Sequence, residues 1–534
     1  MGIRPVAGPE ALPEDVPIGE VPPGEAGAAV AAGSRWRVAA GVVIAVGVVL
    51  RFATVSHLWL DEALTVNIAR LPVSEMFEAL RNDGSPPVYY LLLHGWMSVF
   101  GESNLAVRAL PGLFGVAALP LAFVAARRIG GPRVAWAAIV LMAAGPFAIR
   151  YSTEGRMYSL LTVLVLAGLL AVLSLLEGGG ARPAAALAVV TALVLLTHYW
   201  SFYLVAVAVV ALALVARRAQ GPARAGARRA LVAMAGGGVL FLPWAPAFLF
   251  QLANTGTPWG RPGNVRSLFD TVTHFAGGYW DPGIALGLVY FGLIGLALFG
   301  SSAGPRRVVL DFRSRAPGNW LAAVAFGTLV VAIVAGQLGR SAFAVRYAAV
   351  IYPLFVIVVA LGANALADVR VFNWVLGVAV VLGLWATVPN VIGDRTSAGR
   401  VAAAIDAGAR PGDVVAYCPD QLGPSVSREV TATGLVHLTF PRAGSPELVD
   451  WVGYEAVNRA AQTRPFAQML IDRAGPDNDV WLVWSPGYRT FGTKCANLIE
   501  QLDDVRPVNE RVITVSTKYF ERPGLVRFRA TSAG

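Results

Sequence analysis

Uncharged apolar stretches of about twenty residues recur from Val38 to Val388 and then stop. That length is what an α-helix needs to cross a bilayer. The pattern predicts about eleven membrane helices, at about 37–55, 105–126, 134–150, 158–176, 184–198, 200–216, 230–250, 283–300, 319–337, 346–367 and 371–389. A further apolar run, Val88–Phe100, is shorter, follows Pro86-Pro87 and contains His94. It reads as an interfacial helix lying along the membrane surface. Beyond Val391 the pattern changes. Charge returns, and β-rich runs such as Val414–Tyr417 and Val480–Trp484 interleave with helical patterns such as Pro465–Arg473, where Phe466, Met469 and Leu470 share a face. The chain therefore divides into a disordered tail (1–35, rich in Pro, Gly, Ala and Glu), a polytopic α-helical membrane domain (36–390) and a small α/β domain (391–534).

Composition agrees with the pattern. Hydrophobic residues make up 56% of the 534 positions and charged residues 14%, against about 25% charged in soluble domains. The net charge of +10 could suggest nucleic acid, but the arginines sit mostly in short loops between apolar runs, where they set orientation in the membrane. Nucleic acid is thereby excluded as a partner; the bilayer is the partner. With the N-terminus cytoplasmic and Val88–Phe100 lying on the outer surface, clusters such as Arg127, Arg128 and Arg133, or Arg217, Arg218, Arg224, Arg228 and Arg229, fall inside. Reading Val88–Phe100 as a span would invert every later loop. The same assignment puts 391–534 outside a plasma membrane. Cys418 and Cys495, the two cysteines, form no CxxC motif and both belong to that outer domain. They read either as a disulfide or as two separately buried thiols.

Chemistry concentrates just after the first span, in His57-Leu58-Trp59-Leu60-Asp61-Glu62-Ala63. Adjacent carboxylates at a membrane surface suit proton abstraction or a divalent cation, with Asp61 and Glu62 as its ligands. Asp61 is equally placed to cap a helix over Glu62–Arg70. Arg51 lies in the outer half of the first span, where an arginine is costly unless paired. Arg108, the run Tyr151–Tyr158 with Glu154, Arg156 and Tyr158, His198, Arg340, and Arg346 with Tyr347 all collect at the same face. Singly each reads as an interfacial anchor. Together with Asp61 and Glu62 they suit a phosphate-bearing ligand beside an acid–base pair. Tyr89 and His94 in the interfacial helix, and His274 in the segment running to Trp280, are candidates for the cavity wall or acceptor side.

The order of these pieces resembles the GT-C membrane glycosyltransferases, in the branch of the dolichyl-phosphate-mannose protein mannosyltransferases (family 39) and the aminoarabinose transferase of lipid A. The matching runs are Leu58-Trp59-Leu60-Asp61-Glu62-Ala63, Ser85-Pro86-Pro87-Val88-Tyr89-Tyr90-Leu91-Leu92-Leu93-His94, Phe100–Leu110 with Arg108, Tyr151–Tyr158 and Thr197-His198-Tyr199, spanning about 40–360. The resemblance implies a catalytic acid at Asp61, a polyprenyl-phosphate sugar as donor and inversion at the anomeric carbon. One departure is Gly155, where relatives usually carry Ala. The outer domain matches nothing in that pattern.

The reading that follows is an inverting transfer of a sugar (mannose or another hexose or pentose) from a polyprenyl phosphate to an envelope glycan, lipid or protein. Asp61 would act as base with Glu62 assisting, and Arg156, Arg346, Arg108 and Arg51 would meet the phosphate. The alternative is a transporter or flippase of lipid-linked sugars. A carrier is expected to hold polar groups near the midplane, whereas here they gather on one face. The orientation is checked by introducing cysteines at Ser301 and Ser445 and treating intact cells with an impermeant thiol reagent. Label at 445 and none at 301 is expected; the reverse pattern overturns the assignment.

Overall fold

The computed structural model describes residues 23–304, 307–312 and 318–531, with backbone alone for 23–35. Seven helices among the described residues are long and apolar enough to cross a membrane: Asn104–Ala143, Tyr158–Leu176, Ser201–Arg218, Gly221–Asn254, Asp281–Phe299, Gly318–Gly339 and Val369–Ile392. Shorter apolar helices are Trp36–Leu50, Val88–Phe100, Ala181–Leu195 and Tyr352–Asn364. Each predicted span falls on one of these. The second and third share Asn104–Ala143, which breaks at Gly131 (φ 83°) just before Pro132. Only glycine adopts that backbone without strain. Val210, Val232, Leu288, Trp374 and Val381 stand exposed on the bundle, as lipid-facing side chains do. The chain is thus a multi-pass helical membrane protein.

Two boundaries move. The first helix begins at Pro23, so 23–35 is helical where a disordered tail was expected; its many alanines favour helix, and Pro23 suits a first turn. Residues 1–22 lie outside the described residues. The span expected at 346–367 is α-helical only from Tyr352, preceded by a 3₁₀ turn, Val345–Val350. Arg346 and Tyr347 therefore sit on a tight turn at the bundle's end.

The loop after the first span folds as three helices, Leu60–Ala69, Val73–Asp83 and Val88–Phe100. The last is the short helix expected from the apolar run, and its Trp96 indole donates to Ala106 O (2.8 Å). Above them sits the C-terminal domain. Its five-stranded sheet runs Val436–Thr439, Val414–Cys418, Val480–Trp484, Gly524–Phe528, Asn509–Ile513. The first three strands are parallel and the last two pair antiparallel. Alternate residues serve opposite faces. Val414, Ala416, Cys418 and Leu482 join one core, while Val415, Tyr417, Trp481 and Val483 join another. Both faces are covered, so the central strands read as continuous apolar runs. Helix Gly423–Glu429 packs directly on Leu60–Ala69, which brings this domain onto the first loop.

Cys418 and Cys495 form a disulfide that ties strand Val414–Cys418 to helix Lys494–Val505. It closes a chain separation of 77 residues. A double Cys418→Ala, Cys495→Ala variant is expected to lose about 2–4 kcal/mol in that domain. Alkylating the unreduced, denatured protein should label no thiol, and reduction should expose two; two thiols before reduction would contradict the bridge.

Candidate active site

Helix Leu60–Ala69 is buried on nearly every side; of its residues only Asp61 is not buried. Trp59 occupies the N-cap position in an extended conformation and offers no side-chain cap. The acceptor for the first N–H comes from the C-terminal domain: Leu60 N donates to Glu521 Oε1 at 3.1 Å. Asp61 is therefore not the helix cap. Its carboxylate faces a cavity of about 700 Å³ between the bundle's end and the C-terminal domain.

The cavity wall joins Asp61 to Asp83, Arg156, His198, Arg346 and Tyr347. Arg346 Nη2 lies 3.2 Å from Asp61 Oδ2. Its guanidinium carbon is 5.6 Å from the Trp59 ring centre, 5.4 Å from Trp259 and 5.5 Å from Tyr347, an aromatic cage that fixes a cation. Arg156 Nη1 donates to Thr65 Oγ1 (2.5 Å) and to Tyr90 OH (3.2 Å). Tyr90 OH in turn donates to Asp83 Oδ2 (3.2 Å). Asp83 is raised above the ordinary carboxylate range by burial, against the pull of Arg156. Gly84 follows it in the left-handed region (φ 85°) and ends helix Val73–Asp83, as glycine at that position commonly does. His198 lies beside Tyr347, their rings tilted 56° with centres 5.1 Å apart. Burial, with Arg156 and Arg346 close by, lowers its imidazole to about 3. A neutral ring fits its Nδ1 accepting from Trp200 N (3.1 Å).

Behind this wall lies a second charged group. Glu62 is fully buried and receives Arg108 through Nε (2.8 Å) and Nη2 (2.6 Å). Gly155 N donates to it at 2.8 Å, and Arg395 Nη1 lies 3.4 Å away. Arg395 also donates to Thr153 O, Thr153 Oγ1 and Asn390 Oδ1 at 2.9, 2.7 and 2.9 Å. Arg108 holds Ser56 O and His57 O as well. Glu154 neighbours Arg150 (3.1 Å) and Arg395 (3.8 Å); burial raises its carboxyl to about 7, with Arg150 opposing. A Cβ at Gly155 would come within 2.9 Å of Val107 Cγ1, which favours glycine at this close approach.

Several predicted site residues are thus placed elsewhere. Glu62, Arg108 and Glu154 form the buried network and do not line the cavity. Arg51 spends its guanidinium on Gly47 O, Ala143 O and Met142 O, the carbonyls that a helix end leaves without partners. Tyr158 is buried next to His198 (6.0 Å) and outside the wall. Arg340 is exposed, on a left-handed residue (φ 53°), because the chain turns there after Gly339. Tyr89 is buried against Tyr90. The His94 ring nitrogen meets Ala69 O at 2.7 Å, and that of His274 meets Asp270 O at 2.8 Å; both brace local structure away from the cavity. Asp61 faces the cavity while Glu62 faces the buried network. Among the described residues no group of three or more His, Cys, Asp or Glu side chains is placed to hold a metal.

Other residues escaped the sequence reading. Asp83 directly precedes the Gly84-Ser85-Pro86-Pro87 turn, and an acid before that turn was a usable signal. Arg395 follows the last span in an Asp-Arg pair, another legible sign. Glu521 and Arg522 line the cavity from the far end of the chain without any local pattern to mark them.

Comparisons with known proteins agree with this architecture. Residues 84–246 match the family model described as dolichyl-phosphate-mannose-protein mannosyltransferase. No curated protein matches the sequence significantly. ArnT from Cupriavidus metallidurans in the apo state superposes with a TM-score of 0.60 at 16% identity, over 94% of this chain and 99% of that one. The same protein bound to undecaprenyl phosphate superposes at 0.55 and 15% identity, with the same coverage.

The buried network generates a stability prediction. Glu62→Gln leaves Arg108 and Arg395 without their shared counter-charge, at a cost of about 3–5 kcal/mol. Asp61→Asn, at a pair whose side chains are each 19% exposed, should cost less than Glu62→Gln. Thermal melting in detergent checks both, and equal losses would contradict the division into wall and network. A buried arginine–carboxylate frame lies behind a cavity walled by Asp61 and Arg346, in a chain that shares the fold of ArnT over 94% of its length and whose segment 84–246 matches the family model described as dolichyl-phosphate-mannose-protein mannosyltransferase.

Proposed function

We propose that the protein transfers a sugar from a polyprenyl phosphate to an acceptor hydroxyl of the cell envelope. The observation that carries this reading is Asp61, an acid in a membrane-end cavity whose immediate partner is the caged Arg346 at 3.2 Å. Support for a lipid donor comes from the ArnT relative, which has been seen with undecaprenyl phosphate, and from the protein mannosyltransferase match over 84–246.

In this reading Arg346 and Arg156 meet the phosphate, whose charge grows as it leaves. Asp61 takes the proton from the acceptor hydroxyl. The acceptor oxygen bonds to the anomeric carbon as the carbon–oxygen bond to the phosphate breaks, releasing polyprenyl phosphate. A single displacement of this kind inverts the anomeric centre. His198, neutral beside the two arginines, adds no third positive charge. Glu62 holds the helix of Asp61 in place and takes no part in proton transfer. The sugar is a hexose or pentose, and the acceptor a glycan, lipid or protein.

Two measurements test this. Purified protein should release sugar from an undecaprenyl-phosphate hexose or pentose, or pass it to envelope extract, and should not use a nucleotide sugar directly. A flippase would do neither. Asp61→Asn keeps the size of the side chain but removes the base, so turnover per folded molecule should fall about a hundred-fold or more. Near wild-type turnover in a normally melting Asn variant would end the assignment.

A further inference from the structure

Glu521 lies 461 residues from the helix it caps. Its backbone is pinned on both sides, with Glu521 N donating to Arg395 O (2.9 Å) and Ser397 N donating to Glu521 O (3.2 Å). The residue is 4% exposed. One carboxylate oxygen, Oε1, is fully used: it accepts from Leu60 N and from Ser425 Oγ (3.0 Å), the latter on the helix that packs against Leu60–Ala69. The other oxygen, Oε2, is buried with no donor in hydrogen-bonding geometry, although the Thr396 side chain lies beside the carboxylate. Glu521 nevertheless lines the cavity of Asp61. The neighbouring Phe520 ring meets the Trp59 indole edge-on at 5.1 Å and walls the same space. A buried acceptor oxygen left empty is costly. Glu521 belongs to the wall of a space large enough for a ligand, and the other half of the same carboxylate is held rigid.

We propose that Glu521 is a substrate-binding carboxylate of the transfer site, contributed by the C-terminal domain, whose Oε2 accepts a hydrogen bond from a sugar hydroxyl while Oε1 caps the helix bearing Asp61. The proposal rests on the transferase reading above. The ligand chemistry is a hydroxyl donor; a carbohydrate supplies it either as the sugar of the donor or as the acceptor. The C-terminal domain then completes the site, and removing it would leave both the cavity and the Asp61 helix unfinished.

Glu521→Gln separates the two halves of this role. The amide oxygen still caps Leu60, while the amide nitrogen replaces an acceptor with a donor where Oε2 stood. Glu521→Ala removes both. Wild type, E521Q and E521A are compared in detergent for melting, binding of undecaprenyl phosphate (which lacks sugar hydroxyls), binding and hydrolysis of undecaprenyl-phosphate hexoses and pentoses, and transfer to envelope extract. E521Q should melt and bind undecaprenyl phosphate as wild type does. It should lose about ten- to a hundred-fold, the usual worth of a hydrogen bond to a charged group, in one of two places. A loss in affinity for the sugar-linked lipids assigns the hydroxyl to the donor. A loss in transfer with hydrolysis intact assigns it to the acceptor. E521Q matching wild type throughout while E521A melts lower would reduce Glu521 to a cap and overturn the proposal. Wild type that neither binds undecaprenyl phosphate nor turns over any conjugate would remove the transferase reading, and this role with it.

Discussion

The structure depends on one buried carboxylate. Glu62 joins the first loop to the start of the second apolar helix through Arg108, to the 153–157 turn through Gly155, and to the segment after the last helix through Arg395. Two guanidiniums and a backbone N–H surround it at a fully buried position. Removing charges from water costs several kcal/mol each unless pairing and hydrogen bonds are nearly complete, and both oxygens of Glu62 are engaged. The network therefore specifies a single arrangement of four chain segments, and Asp61, one residue away, inherits its direction from that arrangement.

Much of this was legible in the sequence, for reasons that differ by element. Spans such as Tyr158–Leu176 were readable to the residue because lipid selects length and apolarity with no help from tertiary contacts. Val88–Phe100 was readable as a helix because its apolar run is bounded by Pro86-Pro87 and Gly101. The division of labour between Asp61 and Glu62 was not. Neighbours on a helix point about 100° apart, so one faced the cavity and the other the interior, and only the packing of Arg108 and Arg395 decided which. Arg51 looked like a phosphate ligand because a membrane arginine needs a partner; its partners are three backbone carbonyls, which carry no signature in sequence. The disulfide was one of two open readings, settled by the proximity of strand and helix.

The C-terminal domain was readable as α/β but silent about its purpose. Its contribution to the cavity comes from residues such as Gln421, Tyr488, Glu521 and Arg522, scattered over about a hundred positions and gathered by the sheet. Such a wall has no linear motif. The family match covers residues 84–246, whereas the fold similarity runs along 94% of the chain.

Arg51 carries a consequence for biosynthesis. Its carbonyl partners on Met142 and Ala143 are encoded 91 and 92 residues later. When the ribosome delivers the first helix to the membrane, those carbonyls have not yet been made. The guanidinium must then be sheltered by water, lipid headgroups or the insertion machinery until the later helix arrives and receives it. The first helix is thus a provisional insertion, and its final seat is defined by a helix that enters afterwards.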